Sequence, residues 1–189
     1  FRAGVNAGNS IASGGNYNVV VGDEAGTAIS TGDNNVFVGY ASGDAITTAV
    51  ANTALGRGAL GADTKGNNSV AIGYRALNTQ NFTTATDAYN TAVGIDAGLS
   101  VTTGINNTLI GGRAGDALTD ADFNVAIGTE ALSSDTLGSK STAIGRATLN
   151  VQNFTTATDA YNVAVGFNAG VAVTTGINNT LIGAESGDA

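Results

Sequence analysis

Short apolar triplets recur along this chain at a fixed interval, each closed by a glycine: Val19-Val20-Val21-Gly22, Val70-Ala71-Ile72-Gly73, Val125-Ala126-Ile127-Gly128. The closing glycines stand at 22, 39, 56, 73, 94, 111, 128, 145, 166 and 183. Three equal steps are followed by one that is longer by four, and the cycle begins again. Gly22, Gly94 and Gly166 therefore correspond, and four rungs make one super-repeat. Two strings confirm that period: QNFTTATDAYN at 80–90 returns at 152–162, and VTTGINNTLIG at 101–111 returns at 173–183. Self-similarity of this kind marks a solenoid, in which each repeat buries its apolar face against the next.

Each rung has the same grammar. Four positions before the glycine stands Asn, or Ser at 69 and 141. Asn tolerates left-handed backbone and bonds its own turn, so it is expected to open the strand after a corner. The glycine closes the strand where a Cβ would obstruct a sharp bend. Side chains alternate across a strand, so the first and third triplet residues share a face. They are Val, Ile, Leu or Thr in every rung, and are expected to point into the coil. The middle residue is apolar too, mostly Ala, and the bulky Phe37, Leu109 and Leu181 occupy equivalent places in successive super-repeats. A strand apolar on both faces is buried on both, so the middle column is expected to line a contact between chains.

The other half of the rung shows a compensation. Four positions past the glycine the series reads Gly26, Gly43, Leu60, Leu77, then Gly98, Gly115, Leu132, Leu149. Three positions later it reads Ile29, Ile46, Asp63, Gln80, then Val101, Leu118, Asp135, Gln152. Each rung supplies one large apolar side chain to a thin core from one of two places, as close packing of a narrow coil requires. A helix is excluded, because Gly and β-branched residues fill the pattern and no i, i+3, i+4 stripe is sustained. A rung this short holds two short strands, too few for a propeller blade. The fold class is all-β, a parallel β-solenoid of about 17-residue rungs in 72-residue super-repeats. Residues 1–189 form one repetitive segment. With no initiator Met and a start in mid-rung, it is expected to be an internal piece of a longer fibre polypeptide.

Composition narrows the function. The 189 residues include 28 Gly and no Pro, Cys, Met, Trp or His, and the net charge is −8. The seven basic residues are scattered, so no phosphate-binding patch and no nucleic-acid partner is expected. Without Cys there is no disulfide and no thiolate zinc site. No apolar run approaches membrane-spanning length and no signal peptide is visible, so membrane insertion is not expected.

The segments NSVAIG (68–73), NVAIG (124–128), STAIG (141–145) and NVAVG (162–166) resemble the head repeats of trimeric autotransporter adhesins and related β-roll repeats of phage tail fibres. The resemblance extends over nearly the whole chain. It implies a left-handed parallel β-roll, three chains about a common axis, and attachment to surfaces; neither a neck motif nor a heptad stalk is present. The partners it implies are two further copies of the chain, in a homotrimer, and a cell-surface glycan or protein receptor. The location it implies is extracellular, on a virion tail fibre or a bacterial surface.

Catalytic chemistry finds little support. Asp120 and Asp122, with Asp116 near them, and the pair Asp23/Glu24 are the closest approach to a carboxylate dyad; neither pair recurs, and solvated loop carboxylates are the simpler reading. No catalytic residue, cofactor or metal is assigned. Asp44, Asp116 and Asp188 share one position, but each supplies one carboxylate where calcium needs about six to eight oxygens. Threonines form no steady T-x-T column, so an ice-binding array is not expected. The long fourth rung, in its two copies, carries four of the eleven aromatics. An insertion in a solenoid maps to a loop on one side, frequently the binding side. Phe82, Asp87 and Tyr89, with Phe154, Asp159 and Tyr161, are the candidate receptor-contact residues. The alternative is that the rings plug a groove in the architecture. Phe37, Leu109 and Leu181 are the expected trimer contacts. A passive spacer whose binding domain lies elsewhere is the competing reading of the whole.

Overall fold

The computed structural model describes residues 2–188. Among them there is no α-helix, and no helix is long and apolar enough to cross a membrane. The chain is a parallel β-solenoid. Eleven short strands, from Arg2–Ala3 through Val19–Val21 and Val36–Val38 to Thr180–Ile182, stack in sequence order into one parallel sheet. Each glycine-closed triplet forms one of these strands, in register with the next: Val36↔Thr53, Phe37↔Ala54, Val38↔Leu55. The long rung keeps the same register, with Val70 paired to Thr91 and Ile72 to Val93. Its additional length is thus accommodated away from the sheet, where Gly66–Asn67 pairs with Thr86–Asp87 and, one super-repeat later, Gly138–Ser139 pairs with Thr158–Asp159.

Backbone hydrogen bonds join successive rungs around the corners as well as along the strands. Gly26 N donates to Ser42 O, Ala28 N to Asp44 O and Ser30 N to Thr47 O, each at 2.9–3.0 Å. At the strand ends the glycines stack on one another. A Cβ on Gly39, where φ is +132°, would lie 2.7 Å from Gly56 O, so only glycine permits the rungs to approach that closely.

The two faces of the sheet are the reverse of the expectation. The middle residue of each triplet points inward: Val20, Phe37, Ala54, Ala71, Ala92, Leu109, Ala126, Ala143 and Ala164 are fully buried in the single chain. The first and third residues point outward, and Val36, Leu55, Ile110, Ile144 and Ile182 are exposed. Alternation fixes which residues share a face, but not which face turns in.

With the middle column inside, the compensation gains a third member. Gly43 lies beside Phe37, whose ring atoms would be 2.7 Å from a Cβ there, and Gly115 lies beside Leu109 in the same relation. Leu60, Leu77, Leu132 and Leu149 stand in rungs whose middle residue is Ala instead. Ile29, Ile46, Val101 and Leu118 are buried as expected. The interior is one continuous apolar column along the rod.

The Asn before each strand acts differently from its expected role. It is the residue before it, such as Asn34, Asn68, Tyr89 or Phe123, that takes φ near +50° to +60°. The Asn side chains themselves are buried and form a ladder. Asn35 N donates to Asn18 Oδ1 (2.9 Å), Asn52 N to Asn35 Oδ1 (3.0 Å), and Asn124 N to Asn107 Oδ1 (2.9 Å). Each amide also donates across the rung, Asn52 Nδ2 to Gly66 O at 2.8 Å for example. A buried amide with its partners in place holds rung registry, since a slip would strand it.

Where Ser69 replaces Asn, Gln80 bridges the gap. Its Nε2 donates to Ser69 Oγ (3.2 Å) and Asp63 Oδ2 (2.6 Å), while its Oε1 accepts from Asn90 Nδ2 (2.8 Å). Asp63, fully buried, also accepts from Gly66 N (2.9 Å) and Phe82 N (3.1 Å) through Oδ1. Asp135, Ser141, Gln152 and Asn162 repeat the arrangement in the next super-repeat.

Candidate functional site

The candidate trimer-contact residues face the interior of the coil. Phe37 and Leu109 are fully buried inside the coil, and Leu181 packs against the same core near the end of the described rod. They serve the interior of one chain and cannot line a contact between chains. The outward sheet face does carry what such a contact needs. One column runs Val, Val, Thr, Val, Thr, Thr, Val, Thr, Val, Thr from 19 to 180, and the parallel one is Val, Leu or Ile throughout from 21 to 182. Ten rungs at about 4.8 Å make a strip on the order of 48 Å long.

The recurring loop divides its aromatics. Phe82 and Phe154 fold in and are only 6% exposed. A Cβ on Gly66 would stand 2.7 Å from Phe82 Cδ2, and one on Gly138 equally close to Phe154 Cδ2, so these rings lie directly on glycine backbone. They are packing. Tyr89 and Tyr161 stay out, at 56% and 51% exposure. Asp87 accepts from Asn67 Nδ2 and Asn68 Nδ2 at 3.2 and 3.0 Å. In the second loop Lys140 occupies the position of Asn68, donating to Asp159 at 2.5 Å and to the Tyr161 hydroxyl at 3.2 Å. The lysine's hydrogen bond holds the Asp159 carboxyl below its ordinary range. The exposed part of each loop is a tyrosine with a carboxylate beside it. Tyr17 and Phe123 extend the same surface column, again exposed.

A second surface feature has no sequence motif behind it. At the corner after the strands, residues from three successive rungs enclose a groove of about 340 Å³ lined by Tyr40, Asp44, Arg57, Gly58, Gly61, Arg75 and Asn78. Arg57 lies between two tyrosine rings, 5.5 Å from the centroid of Tyr40 and 5.6 Å from that of Tyr74, and its Nη1 donates to the Tyr74 hydroxyl at 3.2 Å. Arg75 makes a two-pronged pair with Asp96, at 2.8 and 3.0 Å. Burial raises the Asp44 carboxyl above its ordinary value, and the charge of Glu24 adds to that. The equivalent positions of the next super-repeat form a counterpart of about 220 Å³, lined by Arg113, Asp116, Glu130, Ser133 and Asn150. Here Arg113 is ion-paired with Glu130, and Asp116, likewise raised by burial, has an Oδ1 with no hydrogen-bond partner among the described residues. Among the described residues, no group of three or more acidic side chains is placed to hold a metal ion.

Fold and surface together define the chain as a parallel β-solenoid repeat protein with one apolar sheet face. No family model, no curated protein and no solved structure matches it.

Proposed function

We propose that this chain is a non-enzymatic segment of an extracellular fibre, on a phage tail or a bacterial surface, that works as a homotrimer and serves attachment to cells. The observation that carries the reading is the outward sheet face. A strip of β-branched and aliphatic side chains running the length of the rod, roughly 500 Å² in all, is at the upper end of what a monomer leaves in water. Association of like chains along it removes that surface, and three rods about one axis is the arrangement implied by the adhesin-head resemblance. The interface thus moves from the middle residues of the triplets to the first and third. Tyr89 and Tyr161 are the loop residues that remain available for a receptor.

A passive spacer is the second reading. It is favoured by the identity of the loop string at 80–90 and 152–162, which has the look of a repeated structural part rather than of one tuned site. Two measurements separate these ideas. Sedimentation of the wild-type segment should give a trimer, and the double substitution Ile72→Asp with Ile127→Asp should give a folded monomer; a stable, soluble wild-type monomer refutes the assembly. Incubation of the labelled trimer with host or bacterial cells should show saturable binding, whereas a trimer that binds none is a spacer.

A further inference from the structure

We propose that the groove between the corners at 40–44, 57–62 and 75–79 binds a carboxylate-bearing sugar, a uronic acid unit of a surface polysaccharide. The proposal rests on the attachment reading and supplies its ligand.

A chain of net charge −8 repels anionic glycans in general, so a site for one needs a local cation that is not already neutralised. Arg75 is spent on Asp96, Arg113 on Glu130 and Lys140 on Asp159, while Arg146 lies 3.9 Å from Glu130. Among the described residues Arg57 and Lys65 have no ion pair, and of the two it is Arg57 that lines the groove. Its guanidinium is instead held between Tyr40 and Tyr74. One N–H goes to the Tyr74 hydroxyl, and a fork of donors remains for the two oxygens of a carboxylate. Stacking restricts the side chain before the ligand arrives, which lowers the entropy lost on binding.

The rest of the groove suits the ring of a sugar. Tyr40, 52% exposed, offers a flat apolar face to ring C–H groups. Gly58 and Gly61 leave the floor as bare backbone; a Cβ at Gly61 would stand 3.0 Å from Asn78 Nδ2 and 3.4 Å from Asp44 Oδ1. Asp44 is an acceptor for ligand hydroxyls. Asn78 donates through Nδ2 to Gly58 O at 2.7 Å, which turns its amide towards the groove floor. A carboxylate at one end and neighbouring hydroxyls at the other is the pattern of a uronic acid. An acidic peptide offers the carboxylate without the hydroxyls, and Asp44 repels a second carboxylate brought into the groove.

The counterpart groove keeps the carboxylate and the amide, as Asp116 and Asn150, but lacks the other parts. Gly112 and Thr129 replace Tyr40 and Arg57, Ala147 replaces Arg75, and the side chains of Glu130 and Ser133 stand where Gly58 and Gly61 leave space. One site per chain is expected, three per trimer, with avidity raising the strength of each.

Titration calorimetry of the intact segment against an α-linked galacturonic acid trimer and its methyl ester tests this. The acid should bind and the ester should bind at least tenfold more weakly. Arg57→Gln should lose at least tenfold, Asp44→Asn about fivefold, and Arg113→Gln nothing, with the melting temperature of Arg57→Gln unchanged to show that the coil is intact. The proposal falls if the acid trimer does not bind, if its ester or a tetra-aspartate peptide binds as tightly, or if Arg57→Gln binds like wild type. Cell binding tells the two readings apart. If cells are bound equally by wild type and Arg57→Gln, attachment stands and this site fails as its basis. If the acid trimer binds at the groove but no cell is bound, the site stands and attachment fails.

Discussion

The groove at 40–79 and its counterpart at 112–151 occupy the same corner of the same coil, one super-repeat apart, yet they share little chemistry. The first has a tyrosine, an arginine outside any ion pair and a glycine floor; the second has an Arg113–Glu130 pair and a serine. Immediately beneath them the interiors correspond almost residue for residue. Asp63, Gln80 and Phe82 reappear as Asp135, Gln152 and Phe154 with the same partners, and Phe37 against Gly43 becomes Leu109 against Gly115. A side chain inside the coil touches the rungs above and below it, so changing one requires a matching change nearby. A side chain outside answers only to solvent and ligand. The two super-repeats are thus one scaffold carrying two different surfaces, and the spacer and attachment readings each describe one of these layers.

The strongest test of the inner layer is charge in the middle column. Leu109→Asp should unfold the coil locally, at a cost of more than about 4 kcal/mol, because an unpaired carboxylate is placed in a dry interior. It should not release a folded monomer, as it would if this column faced another chain. Leu60→Ala and Leu132→Ala, at equivalent places in the two super-repeats, should each cost about 2–4 kcal/mol and agree with one another to within about 0.5 kcal/mol. Thermal unfolding followed by circular dichroism reads all three. A twofold difference between the two alanine variants would show that the interiors are less equivalent than their contacts.

The loops come next, because in them the two layers meet within a few residues. Phe82→Ala with Phe154→Ala should lower stability by about 3 kcal/mol per site, the usual cost of a buried aromatic. Tyr89→Ala with Tyr161→Ala should change it by less than about 1 kcal/mol, since both rings are half exposed. If the tyrosine pair proves as costly as the phenylalanine pair, these rings are buried in the assembled fibre, and the receptor assignment of the loops fails.

Much of the inner layer is legible in the chain itself, since it is periodic. Rung length, strand position, the corner glycines and the exchange between Gly26/Ile29-type and Leu60/Asp63-type rungs all follow from spacing. The direction of the triplets does not. A three-residue strand that is apolar on both faces has no polar side to orient it, and Phe37 and Leu109 are as suited to an interface as to a core. A clue lies in volume: these two large residues occur only in rungs with glycine four places past the closing Gly, as expected if both positions share one interior. The polar roles of Asp63 and Gln80 are hidden for a related reason. They stand at an interior position where polar residues read as solvated, and only the missing Asn at 69 signals that an amide is needed there. The groove is harder still, because its parts come from three successive rungs that are far apart along the chain. Its trace is the set of departures from the super-repeat, Tyr40 against Gly112 and Gly58 against Glu130 among them.

The smallest expected effect concerns two carboxylates that the scaffold treats alike. Asp44 and Asp116 sit at equivalent corners, each partly buried, and burial raises both above the ordinary carboxylate value. A raised value means that the folded chain holds the proton more readily than the unfolded chain. Stability is therefore greater at low pH and declines as pH rises through the window just above the normal carboxylate range. Asp44→Asn and Asp116→Asn remove that decline. Each should be more stable than wild type at neutral pH, by less than about 1 kcal/mol after solvent screening, and the advantage should shrink as the pH is lowered into the carboxylate range. Urea titrations at the two pH values measure it. The same pair of variants should divide on acidic-sugar binding, which only Asp44→Asn is expected to weaken. Equal behaviour in stability with unequal behaviour in binding is the outcome required of one scaffold bearing two surfaces. If Asp116→Asn weakened binding as much as Asp44→Asn, the ligand would occupy both grooves, and the distinction between them would be one of sequence without consequence for recognition.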